Sequence, residues 1–273
     1  MESLELKHLF TPNVKHLLTP NKAINKTTFA ALCAIQGTVA LLVWSTMSSP
    51  VLPKPMGIWH ALMDLLRGTD FLTEVMTSTV LALESVGITF VVSLLISYST
   101  VLPIMRPAGQ FVSKLRFLSL VGLSFVFLLL VNGGHNLKVA LLVFCMVVFF
   151  VTSMMDEIAS ISRSEFNHAR TLGMSEWRIV WEVIILGRID RAFEILRQNF
   201  AIAWMMLTMV EGISRTEGGI GALLLNQNKH FQLDAVFAIQ MTIFVIGIGM
   251  DYCFGVLRTF FFPYAAMTTQ EAR

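Results

Sequence analysis

Long apolar runs separated by short polar stretches dominate the chain. Six can be marked, at 27–47, 75–105, 117–131, 139–155, 192–211 and 235–257, and the first, third and fourth hold no charged residue. About 20 residues at 1.5 Å each carry a helix across the hydrocarbon of a bilayer. Lipid offers the backbone no hydrogen bonds, so each run must satisfy its own N–H and C=O groups, which only a helix does within one segment. The pattern therefore predicts an all-α membrane protein of about six transmembrane helices. The second run is long enough for a tilted helix plus an extension, ended by Pro103 and Pro107.

Between the fourth and fifth runs lies a loop over 156–191, longer than a helical hairpin needs, with helical signals of its own. Ser162 followed three residues later by Glu165 is a capping-box pattern that starts a helix near Arg163. Gly173 can take the left-handed conformation that closes it. Ser175 then caps a second helix from Glu176 to Leu186, with Glu176 at its positive end. A short helix, a turn and a returning helix form a docking surface that stands off the membrane.

Charge supplies the orientation. Fourteen of the 20 Lys and Arg residues fall in segments that share a side with the N-terminus. Five (Lys54, Arg67, Lys138, Arg215 and Lys229) fall in the opposite loops, and Arg197 is left in the fifth run. The positive-inside rule puts both termini in the cytoplasm. The expected organisation is a cytoplasmic N-terminal segment over 1–26, a transmembrane domain over 27–264 and a cytoplasmic tail over 265–273. Within the first segment, Phe10-Thr11-Pro12-Asn13 is echoed by Leu18-Thr19-Pro20-Asn21, which suits either short interfacial helices or a turn-rich tail. That segment is polar, with two prolines and no apolar core of a cleavable signal peptide.

Composition agrees: the chain is 55% apolar and 14% charged, against about 25% charged in soluble domains. Its mean hydropathy is +0.69. A net charge of +2 gives no reason to expect nucleic acid. Cys33, Cys145 and Cys253 sit in apolar stretches without paired or metal-ligand spacing, so they read as buried thiols. No catalytic constellation, metal site or cofactor motif can be assembled, and no phosphate-binding loop of the Gly-x-x-x-x-Gly-Lys-Ser/Thr kind is present.

The loop sequence Asn167-His168-Ala169-Arg170-Thr171-Leu172-Gly173-Met174-Ser175-Glu176-Trp177 resembles the cytoplasmic motif of bacterial ABC importer permeases. That motif reads Glu-Ala-Ala, three residues, Gly. Three further stretches resemble the branch that imports nitrate, sulfonates, taurine and bicarbonate. They are Gly133-Gly134-His135-Asn136-Leu137-Lys138, then Ala203-Trp204 with Glu211, then Gly219-Ile220-Gly221 followed by Asp234-Ala235-Val236-Phe237-Ala238. The chain departs from the pattern in three places. Asn167 and His168 stand for Glu-Ala, Leu186 for a Pro, and Arg116-Phe117-Leu118-Ser119-Leu120 for Arg-Pro-Ile-Pro-Pro. Loss of those prolines suggests a straighter third helix.

The resemblance implies a type I importer bundle in the bacterial inner membrane, with Asn167, His168, Ala169, Arg170, Leu172 and Gly173 on a coupling helix that contacts a separate ATPase subunit. It implies three further partners: a second permease copy or paralogue, an extracytoplasmic solute-binding protein and the lipid bilayer. The chain itself would do no chemistry. Small anions and neutral heterocycles both fit as solutes.

Charged residues inside apolar runs are costly and mark pathways or buried partnerships. Glu84 is the candidate for a buried contact or a pathway role. Glu194 and Arg197, three apart on one helix, suit a local ion pair. Glu211 belongs at the outer mouth, bracing the following loop or facing a receptor. Asp251 snorkels or pairs with Arg258, and His135 lies in a short outside turn. A proton-coupled secondary transporter using Glu84 or Asp251 is the alternative reading.

Overall fold

The computed structural model describes residues 26–46, 52–131, 133–214 and 217–263. The Thr-Pro-Asn echo and the 265–273 tail lie outside the described residues. Those described are helical throughout, without a strand. The chain divides into two units, Met1–Ile58 and Trp59–Arg273. The first holds α1 (Lys26–Thr46), whose described side chains are all exposed or half-exposed. Within this unit the Trp44 indole N–H donates to the Pro53 carbonyl at 3.2 Å. Helix α2 (Pro55–Arg67) crosses the boundary between the units.

The second unit contains α3 (Thr69–Ser99), α4 (Arg106–Lys114), α5 (Leu120–Leu130), α6 (His135–Ser160), α7 (Arg163–Thr171), α8 (Glu176–Ile179), α9 (Ile189–Ile213), α10 (Ile220–Lys229) and α11 (Leu233–Phe261). Helix α6 is its axis: Leu141, Phe150, Val151 and Met154 are fully enclosed. Helix α3 packs on it more extensively than any other element does, with α9 next. Ser78, Ser85, Thr89, Ser93 and Ser97 of α3 are all fully buried, mostly four residues apart. Small residues at that spacing let helix backbones approach closely, which drives packing where lipid supplies no hydrophobic force. Phe90 then meets Phe150 of α6 at 6.0 Å and Phe193 of α9 at 5.5 Å, both edge-on. Around this core Val80, Val91 and Leu95 of α3 and Phe244, Val245 and Ile248 of α11 are exposed, an apolar exterior suited to lipid.

Among the described residues four helices have the length and apolarity to cross a membrane: Thr27–Thr46, Asp70–Ser99, His135–Ser160 and Leu233–Phe261. A fifth crossing exists if the bent pair Pro103–Phe117 and Leu120–Leu130 counts as one. This is a helical membrane protein with several crossings. Helix α9, expected as a further span, has 25 residues but carries Asp190, Arg191, Glu194, Arg197 and Glu211, so it has the length without the apolarity.

Two expectations about shape change. The second run ends at Ser99, and Pro103 and Pro107 open new helical turns instead of ending an extension. The third run, 117–131, forms a helix only over Leu120–Leu130, and the chain enters it through a 115° bend from Pro103–Phe117 across Leu118 and Ser119, with no proline at the break itself. Leu118 and Ser119 are extended, and that alone breaks the helical hydrogen-bond ladder.

Candidate functional site

The stretches singled out at 203–211 and 219–221 meet across a short loop, and Lys138 of the distant stretch at 133–138 joins them in one hydrogen-bonded knot. The start of α10 presents the free N–H groups that every helix leaves at its first turn. Three of them find side chains from other helices. Gly219 N–H donates to the Glu74 carboxylate of α3, and Ile220 N–H donates to Ser78 Oγ at 2.8 Å. Gly221 N–H donates to Glu211 Oε2 of α9 at 2.7 Å, while Ser78 Oγ–H donates to Glu211 Oε1 at 2.5 Å. Lys138 Nζ of α6 donates to the Gly218 carbonyl at 2.8 Å. Carboxylates at a helix N-terminus are favoured by its dipole, and a buried one survives only when its oxygens are bonded. Glu211 is 0% exposed and Lys138 is 1% exposed, so the centre of the knot is closed to solvent, while Glu74 at its edge is half-buried.

Gly219 is required here on two counts. Its φ of 111° is one that L side chains rarely adopt, and a Cβ would collide with the Glu211 carboxylate. The expectation that Glu211 braces the following loop is met. Lys138, assigned to an outside loop, is instead an interior residue of α6, and neither Glu74 nor Ser78 was singled out. Polar side chains one helical turn apart at the start of an apolar run were the available signal.

Further along α9, charge pairs and an indole hold α11. Arg197 Nε and an η nitrogen donate to the two oxygens of Asp251, both at 2.7 Å. Arg258 donates to Glu194 at 2.7 Å. The expected partners are exchanged: Arg197 takes Asp251 instead of Glu194, and Glu194 takes Arg258. A planar guanidinium gains two parallel bonds from a facing carboxylate that its own helix cannot offer at three residues' distance. Trp204 Nε1–H donates to the Ile243 carbonyl at 2.9 Å, and the indole lies against Gly247, where a Cβ would come within 2.9 Å. Glu84, a candidate for a buried contact or a pathway role, pairs with another helix: its side chain is 43% exposed and lies 2.7 Å from His135 Nε2. His135 opens α6 and does not sit in a turn.

The 156–191 region keeps its local grammar. Ser162 and Glu165 form the reciprocal capping box that starts α7. Gly173 has φ 77° and closes it. Ser175 stands at the N-cap of α8 in extended conformation, though its side chain makes no capping bond. The second helix is not uniform: after Ile179 it widens to a π-helical stretch over Val180–Ile185, then tightens to 3-10 over Leu186–Arg188. Arg170 bridges to Glu176 at 2.8 and 3.1 Å, pinning the turn around Gly173. This bond and the Arg170 charge hold the Glu176 carboxyl below its ordinary range, and Glu176 raises Arg170. Arg188 reaches Glu157 at 3.5 Å and Glu165 at 3.2 Å, tying α7 to the end of α6.

Of the coupling-helix candidates, Asn167, His168, Arg170, Leu172 and Gly173 are exposed. Ala169 is 4% exposed and belongs to the inner side of α7, so bulk there would strike the protein's own interior and not an outer face. Trp177 and Trp181 are exposed one helical turn apart, adding to this outer surface. Among the described residues no three His, Cys, Asp or Glu side chains stand together as metal ligands. Compared with protein-family models and with curated proteins, the chain matches none.

Proposed function

We propose that the chain is the permease subunit of an ATP-driven importer of the ABC type, forming half of a pathway for a small solute. The supporting observation is that the stretches resembling the anion-importing branch, at 133–138, 203–211 and 219–221, are bonded to or beside one another in one knot. The contact of Lys138 with the Gly218 carbonyl, 80 residues on, is the long-range part of this convergence. The capped helix α7, closed by Gly173 and pinned by Arg170, adds a rigid outer surface of the kind an ATPase subunit would engage. In this reading α9 crosses as a sixth span despite its charges, so the 161–188 region is cytoplasmic, the glycine knot lies at the opposite face, and both termini are cytoplasmic in a bacterial inner membrane. A second permease copy or paralogue would complete the pathway, and a solute-binding protein would deliver the solute.

Purification of the tagged chain from its own membrane tests the reading. An ATPase chain should accompany it, and liposomes holding both should take up solute on ATP addition. Single cysteines at Ser164 and Asn226, with Cys33, Cys145 and Cys253 replaced, should label from opposite sides. Isolation without an ATPase, together with uptake driven by a pH gradient, would overturn it in favour of a proton-coupled transporter. The Glu84–His135 pair favours that second reading, since a carboxyl and an imidazole lie 2.7 Å apart and neither is sealed. Asp251, held at both oxygens by Arg197, is poorly placed to carry a proton.

A further inference from the structure

A cleft of about 510 Å³ opens where the end of α3, the start of α4 and the last turns of α6 face the helices α7 and α8. We propose that it is a binding site for an anionic phospholipid, with Arg106 holding the phosphate. The inference needs only a membrane protein and does not depend on the transport reading.

Position is the first argument. Thr100 and Val101 in the cleft wall directly follow α3, and Met155, Ile158 and Ala159 belong to the last turns of α6. Both helices are long and apolar enough to cross a bilayer, so the cleft lies where hydrocarbon gives way to headgroups. Size is the second. Pockets of about 300–1,000 Å³ hold small ligands, and this one is large enough for a headgroup with the first carbons of its chains.

The lining matches that division. Met155, Ile158, Ile161, Phe166 and Ile179 form an apolar wall, while Arg106 and Gln110 offer N–H donors from α4. Charge then selects the headgroup. No Asp or Glu occurs between Glu84 and Asp156, whereas Arg106, Lys114 and Arg116 do. The one carboxylate in the cleft wall, Glu176, has both oxygens engaged by Arg170. Within the cleft wall a zwitterionic lipid would bring a cation with no free acid to meet it. A lipid whose only charge is its phosphate meets Arg106 alone, at a charge-assisted hydrogen bond. Basic pockets at helix ends on the cytoplasmic side bind such headgroups.

The test uses the full chain purified in a neutral detergent and its thermal unfolding. Short-chain dioctanoyl phosphatidylglycerol, dioctanoyl phosphatidylcholine and inorganic phosphate are titrated separately. Phosphatidylglycerol should raise the Tm in a saturable way, and the other two should not. Arg106→Gln should raise the half-saturating concentration by about tenfold or more, the loss expected for one charge-assisted bond. Arg106→Lys should recover part of it, Ala159→Trp should abolish the shift by filling the cleft, and Lys229→Gln, outside the cleft, should leave it unchanged. If Arg106→Gln does not fold, Gln110→Ala and Ala159→Trp carry the comparison. Equal shifts with phosphatidylcholine, a full shift with phosphate alone, or a wild-type response from all the cleft variants would each overturn the proposal.

Discussion

Glu211 and Gly221 are ten residues apart and join the end of α9 to the start of α10, with the buried carboxylate accepting the backbone N–H at 2.7 Å. The same carboxylate takes Ser78 on its other oxygen, so one side chain fixes three helices. Glu211→Gln keeps the shape and replaces one acceptor oxygen by an NH₂ donor. The Gln oxygen must serve the Gly221 N–H, which can only donate, so the NH₂ faces Ser78 Oγ, which must accept it and give up the bond its own O–H donates. An unsatisfied buried group costs about 1–3 kcal/mol. Thermal unfolding in detergent should show this loss, and Ser78→Ala alone should show a smaller one. Wild-type stability for Glu211→Gln would mean that the knot is not holding the loop.

Gly173 and Gly219 both have positive φ, but only one is crowded. A Cβ at Gly173 meets no atom within 4 Å, while one at Gly219 runs into Glu211. Gly173→Ala should therefore cost about 1 kcal/mol of left-handed strain and leave the fold intact. Gly219→Ala adds a clash with a buried carboxylate and should cost clearly more, to the point of poor expression. Equal stabilities by thermal unfolding would contradict the geometry.

Arg197 and Asp251 connect α9 to α11 by two bonds at 2.7 Å. A double-mutant cycle with Arg197→Gln and Asp251→Asn should return a coupling of roughly 1 kcal/mol, the scale of polar contacts between membrane helices. The cycle pairing Arg197→Gln with Glu194→Gln should return a smaller one. The reverse order would restore the local pair that the spacing of three residues suggests.

The turn at Gly173 should respond to acid. Arg170 holds Glu176 below its ordinary carboxylate value, so the folded loop binds fewer protons than the unfolded one. The contribution of this pair is fully present above the ordinary carboxylate pKa, about 4.3 for Glu. It is lost as pH falls through the lower folded value. Amide exchange over 167–176 should accelerate across that window, and Glu176→Gln should remove the acceleration while exchanging faster at neutral pH. A pH-independent exchange rate in the wild-type loop, after correction for intrinsic chemistry, would show that the pair does not order it.

What could be read from the chain was whatever depends on neighbours within a turn or two. Apolar runs located most helices, because lipid leaves the backbone no other option. The capping box at Ser162 and the break at Gly173 involve contacts three to five residues long, and they stand as expected. Ser175 shows the edge of this reach: it takes the N-cap position, yet its hydroxyl does not bond.

Partner choice was decided by the tertiary structure. Arg197 had Glu194 within reach on its own helix and took Asp251, because the rotation and register of α11 set a carboxylate squarely before the guanidinium. Lys138 reads as a loop cation and is enclosed, because α6 runs through the centre of the unit and the Gly218 carbonyl waits there. Glu84 reads as a buried contact or a pathway residue and is half-exposed beside His135, because the buried face of α3 runs through Ser78, Ser85 and Thr89. Apolar periodicity on a helix that is apolar all round does not say which face turns inward. That rotation is set by close packing between helices distant in sequence, and with it every long-range bond in the knot.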